Sequence, residues 1–397
     1  MLRKRAALIL LVLLCLGAVV GLQQATSGSF TRVIAMRGDP LAVAVDARTG
    51  RAFVINGADY TVSVLDTASG DVVRSVPVSA GALMLAVDEP ANDVFVLNGG
   101  GDSVDILSAA SGVVLHTIAL SLSPYIVAIN QLTGRVYVAN PAGTCLLILD
   151  GTTGTILHKV PLQSVPLVVD ADGATGQVLL ANNDGTLQLR NGETGSLQRT
   201  IRLAGYTSAM TLDERTNHAF VADPLGATVT EVDVRTGTVL RVTHVAKSPA
   251  AAIPMPGLGE IVVASLAGAS NVTNQGELSI LDTGSGRLLQ AIPMSQGIQA
   301  ILGDVARHAV FVDTGSSILE VDIVTGNVIQ TLPVPGTRLT GQGMAIDEQT
   351  QHLFVVNTDN SNGSTVAPVL DWLHGVLSWL PIRGSAPYSS ISEFGVG

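Results

Sequence analysis

Apolar and polar positions alternate in short runs along almost the whole chain, and the runs return at a near-constant interval. The clearest instance is FVIN (Phe53–Asn56) followed by TVSVLDTASGDVVRSVPV (Thr61–Val78). It reads as a continuous apolar segment, a polar loop, a second apolar segment, a turn closing on Gly70, and a last segment with period two. Runs of this length bounded by Gly, Asp, Asn and Ser predict strands. A further apolar segment opens each unit, as in LAVAVD (Leu41–Asp46), LMLAVD (Leu83–Asp88) and YIVAIN (Tyr125–Asn130). The predicted content is therefore four strands per unit.

The second-strand cores fall at FVIN 53–56, FVLN 95–98, YVAN 137–140, LLAN 179–182, FVAD 220–223, VVAS 262–265, FVDT 311–314 and FVVN 354–357. Steps between their last residues are 42, 42, 42, 41, 42, 49 and 43. Turn glycines keep the same beat: Gly70, Gly112, Gly154, Gly195, Gly237, Gly286, Gly326 and Gly375. Such a period marks an array in which each unit covers its neighbour's apolar face. Four strands per unit make one blade of a β-propeller. The first segments are apolar throughout and the last ones alternate, as in VVRSVPV and TILHKVPL, which orders the strands from a buried centre to a half-wet outside. The expectation is an all-β propeller of four-stranded antiparallel blades over residues 32–382, eight blades favoured and seven the alternative.

Tyr137-Val138-Ala139-Asn140, followed by a strand, Asp150 and a Gly turn, resembles the YVTN-family β-propeller repeat, and FVIN…TVSVLDTASGDVV is closer still. The resemblance spans all eight units. It implies the fold and export, for its kin include surface-layer proteins, lactonase-like propellers and periplasmic binding propellers; activity is left open. The Gly-His and Trp-Asp marks of WD repeats are missing. Only Trp372 and Trp379 are present, where quinoprotein propellers usually carry a Trp in every blade.

The N-terminus changes the picture from a plain repeat to an exported one. Arg3-Lys4-Arg5 precedes the apolar run Ala6–Leu22, stopped by Gln23-Gln24. Basic residues stay cytoplasmic, so the remainder is expected outside, whether periplasmic, secreted or on the cell surface. Residues 1–24 are read as an apolar helix serving as signal peptide or as signal anchor, with membrane attachment through residues 6–22 in the second case, and 25–31 as a linker. Cys15 makes a poor lipoprotein site, because Leu14 stands where a small residue is needed. With Cys145 the only other cysteine, the exported part holds no internal disulfide. The net charge of −11 argues against a nucleic-acid phosphate surface.

Two units depart from the pattern. The sixth carries an insertion, Leu266–Gly276, overhanging the rim onto which the loops between second and third strands open. The eighth ends in VAPVLDWLHGVLSWLPI (Val366–Ile382), read by repeat alignment as its third and fourth strands with Pro368 at a bulge, leaving 383–397 as a C-terminal tail. Arg32–Met36 (RVIAM) reads as an outer strand closing the ring. The eighth sheet would then hold a fifth strand, or Val376–Ile382 would lie elsewhere.

Candidate chemistry is sparse. His116 and His158 stand where other units have Arg or Gln, as do His218, His308 and His352; these are outer or turn positions. Asp66, Asp150, Asp233, Asp282 and Asp322 recur at the third-strand end, and Asn56, Asn98, Asn140, Asn182 and Asn357, with Asp223, at the second-strand end. Turn capping explains both rings. Asn357–Gly363 lacks the spacing of a calcium loop, and no Gly-x-Ser-x-Gly elbow occurs. No catalytic set, metal site or cofactor is expected. Loop geometry nominates Asp59, Tyr60, Asp102, Tyr125, Tyr206 and Arg338 on the rim near the central channel, for an unknown protein, glycan or small-molecule ligand. The expected function is a non-enzymatic binding or surface scaffold. The alternative is a lactonase-like or other hydrolytic propeller acting on an extracytoplasmic small molecule or sugar.

Overall fold

A computed structural model describes residues 31–36, 38–140, 145–203, 205–246, 248–255, 257–265, 275–333, 343–357 and 389–395. Every regular element among them is a strand, and the strands form eight four-stranded antiparallel sheets. Seven sheets are continuous blades of uninterrupted sequence order: 1 (40–77), 2 (82–119), 3 (126–161), 4 (166–202), 5 (209–244), 6 (249–293) and 7 (300–333). The last sheet is composite. Its inner two strands are Met344–Asp347 and His352–Asn357, its third is Ser389–Gly395 and its outermost is Thr31–Met36.

The first strands of successive sheets touch in a closed circuit, sheet 8 meeting sheet 1, so the strands radiate from an axis. In five of the eight sheets a small residue stands opposite an aromatic ring at the first position of the FVIN-like core; sheet 7 instead sets Leu302 opposite Phe311. Ala44 pairs with Phe53, Ala86 with Phe95, Ala128 with Tyr137, Thr211 with Phe220 and Ala345 with Phe354. A small residue on the inner strand leaves room for a large ring on the second, and those rings are almost fully buried between sheets. Burying each ring instead of leaving it exposed contributes about 1.5–3 kcal/mol. Continuous burial along second and third strands fades to mostly exposed positions on the fourth, in the radial order expected.

Both ends of the chain complete sheet 8. Thr31–Met36 pairs along Ser389–Phe394, which in turn pairs with His352–Asn357. The predicted outer strand at 32–36 is therefore present and begins one residue earlier, inside the expected linker. Two expectations are corrected. Residues 389–395 do not belong to a free tail; they take the third-strand place assigned to Val366–Asp371. The place reserved for Val376–Ile382 is occupied by the N-terminal strand, so no fifth strand forms in the described sheet. Val366–Ile382 and most of the Leu266–Gly276 insertion lie outside the described residues.

Candidate functional site

Each inner strand runs from one rim to the other and fixes two unlike faces. On the turn rim, the inner strands end in Asp46, Asp88, Asn130, Asp172, Asp213, Met255, Asp304 and Asp347, all buried. Their Oδ1 atoms accept backbone N–H groups of the following turn: Thr49 to Asp46 at 3.1 Å, Ala91 to Asp88 at 3.2 Å, Arg307 to Asp304 at 3.1 Å and Gln349 to Asp347 at 2.9 Å. Asp66 and Asp150 do the same for the next turn, and backbone donors from Ser69 and Thr153 hold their carboxyls below the usual range. One oxygen of each inner-strand carboxylate is thus committed to the backbone, while Asp46, Asp88, Asp213, Asp304 and Asp347 bury an Oδ2 that has no hydrogen-bond partner among the described residues.

On the loop rim the second strands end in amides that brace the third. The Asn56 amide donates to Ser63 Oγ at 2.9 Å and that of Asn182 to Thr186 Oγ1 at 3.1 Å. The Asn98 amide donates to Asp105 Oδ2 at 3.0 Å, and Asp105 also accepts from Ser79 N at 2.7 Å and Thr117 Oγ1 at 2.6 Å. Asp105 thus ties sheet 2 to the linker arriving from sheet 1.

The nominated rim residues divide between two radii. Tyr60 and Asp102 are exposed left-handed turn residues, φ +50° and +46°. Their carbonyls accept the N–H groups of Val78 and Leu120 just past the fourth strands, which places them on the outer rim. Asp59 is exposed in the same loop as Tyr60. Tyr125 stands just ahead of the sheet 3 inner strand, half-buried, its N–H bonded to Ala139 O at 3.1 Å. Tyr206 lies in the linker to sheet 5; burial raises its phenol above the ordinary value, and its oxygen has no hydrogen-bond partner among the described residues. No hydrogen bond or ion pair among the described residues joins any two of these five. Arg338 lies outside the described residues.

The axis itself holds the more coherent surface. A cavity of about 340 Å³ is lined by Val43, Ala44, Val45, Val87, Ile301, Leu302, Met344, Ala345 and Ile346. Four successive inner strands, of sheets 7, 8, 1 and 2, share it, so it opens toward the ring's centre. Its lining is wholly aliphatic or Met. Within the described inner strands, between the loop-rim ends and the capping residues, the polar side chains are Thr211 and Asp170. Asp170 stands opposite Leu179 in sheet 4, the position held by Ala44, Ala86 and Ala128 in sheets 1 to 3. Leu179 lies with Ala181, Met210 and Leu212 in the cluster between sheets 4 and 5, so this position is turned toward sheet 5. Asp170 Oδ1 accepts the N–H of Ala171 at 2.8 Å. Burial, against that one hydrogen bond, pushes its carboxyl up to about 6. Sequence reading passed over Asp170. The signal was available in LVVD (Leu167–Asp170) aligned with LAVA (Leu41–Ala44), where an acid replaces the small residue.

No family model matches the chain, and no curated protein matches it. Many solved structures share its fold. It is similar to dihydro-heme d1 dehydrogenase NirN in complex with DHE, with 12% identity, TM-score 0.67, and 91% of this chain and 79% of that one covered. It is also similar to the computationally designed Ika8 protein, with 17% identity, TM-score 0.64, and coverage of 81% and 94%. Hydrazine synthase of Kuenenia stuttgartiensis matches with 13% identity, TM-score 0.57, and coverage of 74% and 97%. Sheets and neighbours together define the class: the chain is a β-propeller of four-stranded antiparallel blades. At these identities the likeness carries the fold alone.

Proposed function

We propose that this protein is an exported, non-enzymatic propeller that binds its partner through the loop rim and the central channel. The observation that carries the reading is the division of labour just described. The recurrent Asp and Asn side chains give an oxygen or an amide to turns and braces, and the cavity between the inner strands is lined by aliphatic side chains and Met, the lining of a ligand pocket. Export is supported by Arg3-Lys4-Arg5 ahead of Ala6–Leu22. The outermost strand of sheet 8 runs antiparallel to Ser389–Gly395, so Thr31 stands at the turn rim and Met36 at the loop rim. A retained leader would hold the molecule by its turn rim and turn the loop rim away from the membrane.

The test is turnover of a panel of lactones, esters and glycosides by the protein as the cell exports it, with and without added divalent ions. The expected result is no rate above background. Saturable hydrolysis would overturn the reading in favour of a hydrolytic propeller. Mass spectrometry of the exported protein's N-terminus separates a cleaved leader from a retained one.

A further inference from the structure

The last residue of each inner strand has a Cα partner at the start of the second strand, and the two side chains share a face. In sheets 1, 3, 4, 5, 7 and 8 that partner is Arg51, Arg135, Gln177, His218, Ala309 or His352. Sheet 6 has Glu260, but opposite Met255. Among the eight described sheets, sheet 2 alone sets an acid against an acid, Asp93 against Asp88. On the third strand, Arg51 meets Asp66 and Arg135 meets Asp150 as ion pairs, whereas Asp93 meets Ser108. In sheet 2 the acid has moved one strand inward, to a buried place: Asp88 is 1% exposed and Asp93 7%. Like charges directly opposite each other on paired strands are destabilising. Nothing described neutralises these two. Asp88 Oδ1 accepts from Ala91 N at 3.2 Å, and its buried Oδ2 has no hydrogen-bond partner among the described residues. No described Lys, Arg or His forms an ion pair with either carboxylate; Arg48 and His116 favour their charge only through space, while burial lifts both carboxyls and Asp88 lifts Asp93 further. A buried charge of this kind is costly unless something pairs with it.

The acid pair faces sheet 3. Ala86 and Phe95, two places along the same face, pack in one cluster with Val136 and Leu149. The repeat shows what that sheet offers. His352 of sheet 8 occupies the place of Asp93 and reaches across to sheet 1, its Nδ1 2.6 Å from Thr67 O. The counterpart of Thr67 in sheet 3 is Gly151; both donate their N–H to the glycine before the second strand, Gly50 and Gly134. Gly151 is buried, and a Cβ on it would stand 3.2 Å from Phe95 Cζ, so its backbone lies against this face of sheet 2. Where His352 puts a nitrogen between sheets, Asp93 turns an oxygen toward an oxygen. We propose that Asp88 and Asp93 hold one Ca²⁺ ion at the turn-rim end of the interface between sheets 2 and 3, with the Gly151 carbonyl as a third oxygen and water completing the shell. Two carboxylates balance a divalent charge. The donors are all oxygen, which suits Ca²⁺ and denies Zn²⁺ the nitrogen or sulfur it prefers. Mg²⁺ demands a tighter octahedron and gives up water reluctantly. With few protein ligands, the affinity falls in the range of extracellular calcium modules, about 10⁻⁴–10⁻³ M. The ion clamps two neighbouring sheets, whatever the loop rim binds.

The test is calorimetry on the exported protein, stripped with EDTA, dialysed, and returned to CaCl₂, MgCl₂ or NaCl at one ionic strength. Titration should show one Ca²⁺ bound per chain. Melts should show a rise in Tm of about 4 °C at about 10 mM Ca²⁺, the shift for a dissociation constant near ~0.1 mM and roughly 300 folded residues. Mg²⁺ should give about half of that rise or less, and Na⁺ none. Asp93→Asn removes one carboxylate. Asp93→Arg combined with Ser108→Asp copies the ion-paired line that sheets 1 and 3 already fold with, so it keeps the test open if the first variant is unstable. Both should lose the calcium-dependent rise. A rise that survives in both variants overturns the assignment. So does a calcium-indifferent parent that Asp93→Asn stabilises, since the two carboxyls would then share a proton instead of an ion.

Discussion

The buried carboxyl of Asp170 makes a prediction about stability. Burial lifts Asp170 from an ordinary 3.8 to about 6. Between those values the folded protein keeps a proton that the unfolded chain has released, so stability falls as pH rises from about 4 to about 6 and then levels off. Two pKa units correspond to about 3 kcal/mol, at 1.36 kcal/mol each. Asp170→Asn keeps an oxygen to accept from Ala171 and never ionises. Its stability relative to the parent should therefore be near zero at pH 4 and climb to about 3 kcal/mol in the variant's favour above pH 7. With ~2.1 cal/mol/K of unfolding entropy per residue over roughly 300 residues, that is a rise in Tm of about 5 °C. Calorimetric melts of both proteins at half-unit steps from pH 4 to 8 would read it. Glu231 and Glu320, raised by burial, and Asp66 and Asp150, lowered by their turns, are common to both proteins and cancel in the difference. A difference that is constant with pH, or a variant less stable at pH 8, would refute the argument.

Three further outcomes follow from packing and closure. Gly192→Ala would place its Cβ 2.5 Å from the Tyr137 hydroxyl, which now donates to Gly192 O at 3.1 Å; a loss of about 1–3 kcal/mol is expected in denaturant titration, and an unchanged midpoint would show that the ring can move aside. Asp105→Ala strips the partners of Ser79 N, Asn98 and Thr117 at once, and should cost about 3 kcal/mol or more with faster hydrogen exchange at the Ser79 amide. Removing residues 389–397 deletes the strand that joins Thr31–Met36 to His352–Asn357, so the truncated chain should melt well below the parent and bind a hydrophobic dye; a parental melting temperature would mean that the ring does not depend on that strand.

The sequence made the repeat and the radial order legible because both rest on local pattern: FVIN-like cores at a steady step, glycines where turns need a positive φ. The Asp ring was readable as turn caps for the same reason, whereas the Asn ring was not: Asn56, Asn98 and Asn182 brace the third strand through their amides instead of capping a turn. Closure was harder. Ser389–Gly395 is separated from its repeat by a long stretch, and nothing local distinguishes a strand paired across the whole chain from a loose terminus. Val366–Ile382 was more apolar and kept the familiar Asp-to-Gly spacing, so it drew the assignment. The rim candidates suffered from a different blindness. Tyr60 and Asp102 were placed on the correct face, but their left-handed backbone fastens the outermost strand, and radial position depends on a carbonyl partner that no spacing reveals. Asp170 was the opposite case. It was visible in the aligned inner strands and passed over because an acid two places before a capping Asp looks like part of the same polar turn.

The composite last sheet has a bearing on how the molecule is made. Ile34 cannot find Ile391 until the seven blades between them have been made, so the first strand of the ring is the last to be paired. Until then an arc of blades displays two uncovered oily flanks, one at each end. Contacts of such long range are slow to form. The interval between synthesis of the seventh blade and arrival of Ser389–Gly395 is therefore when the uncovered flanks are most open to aggregation.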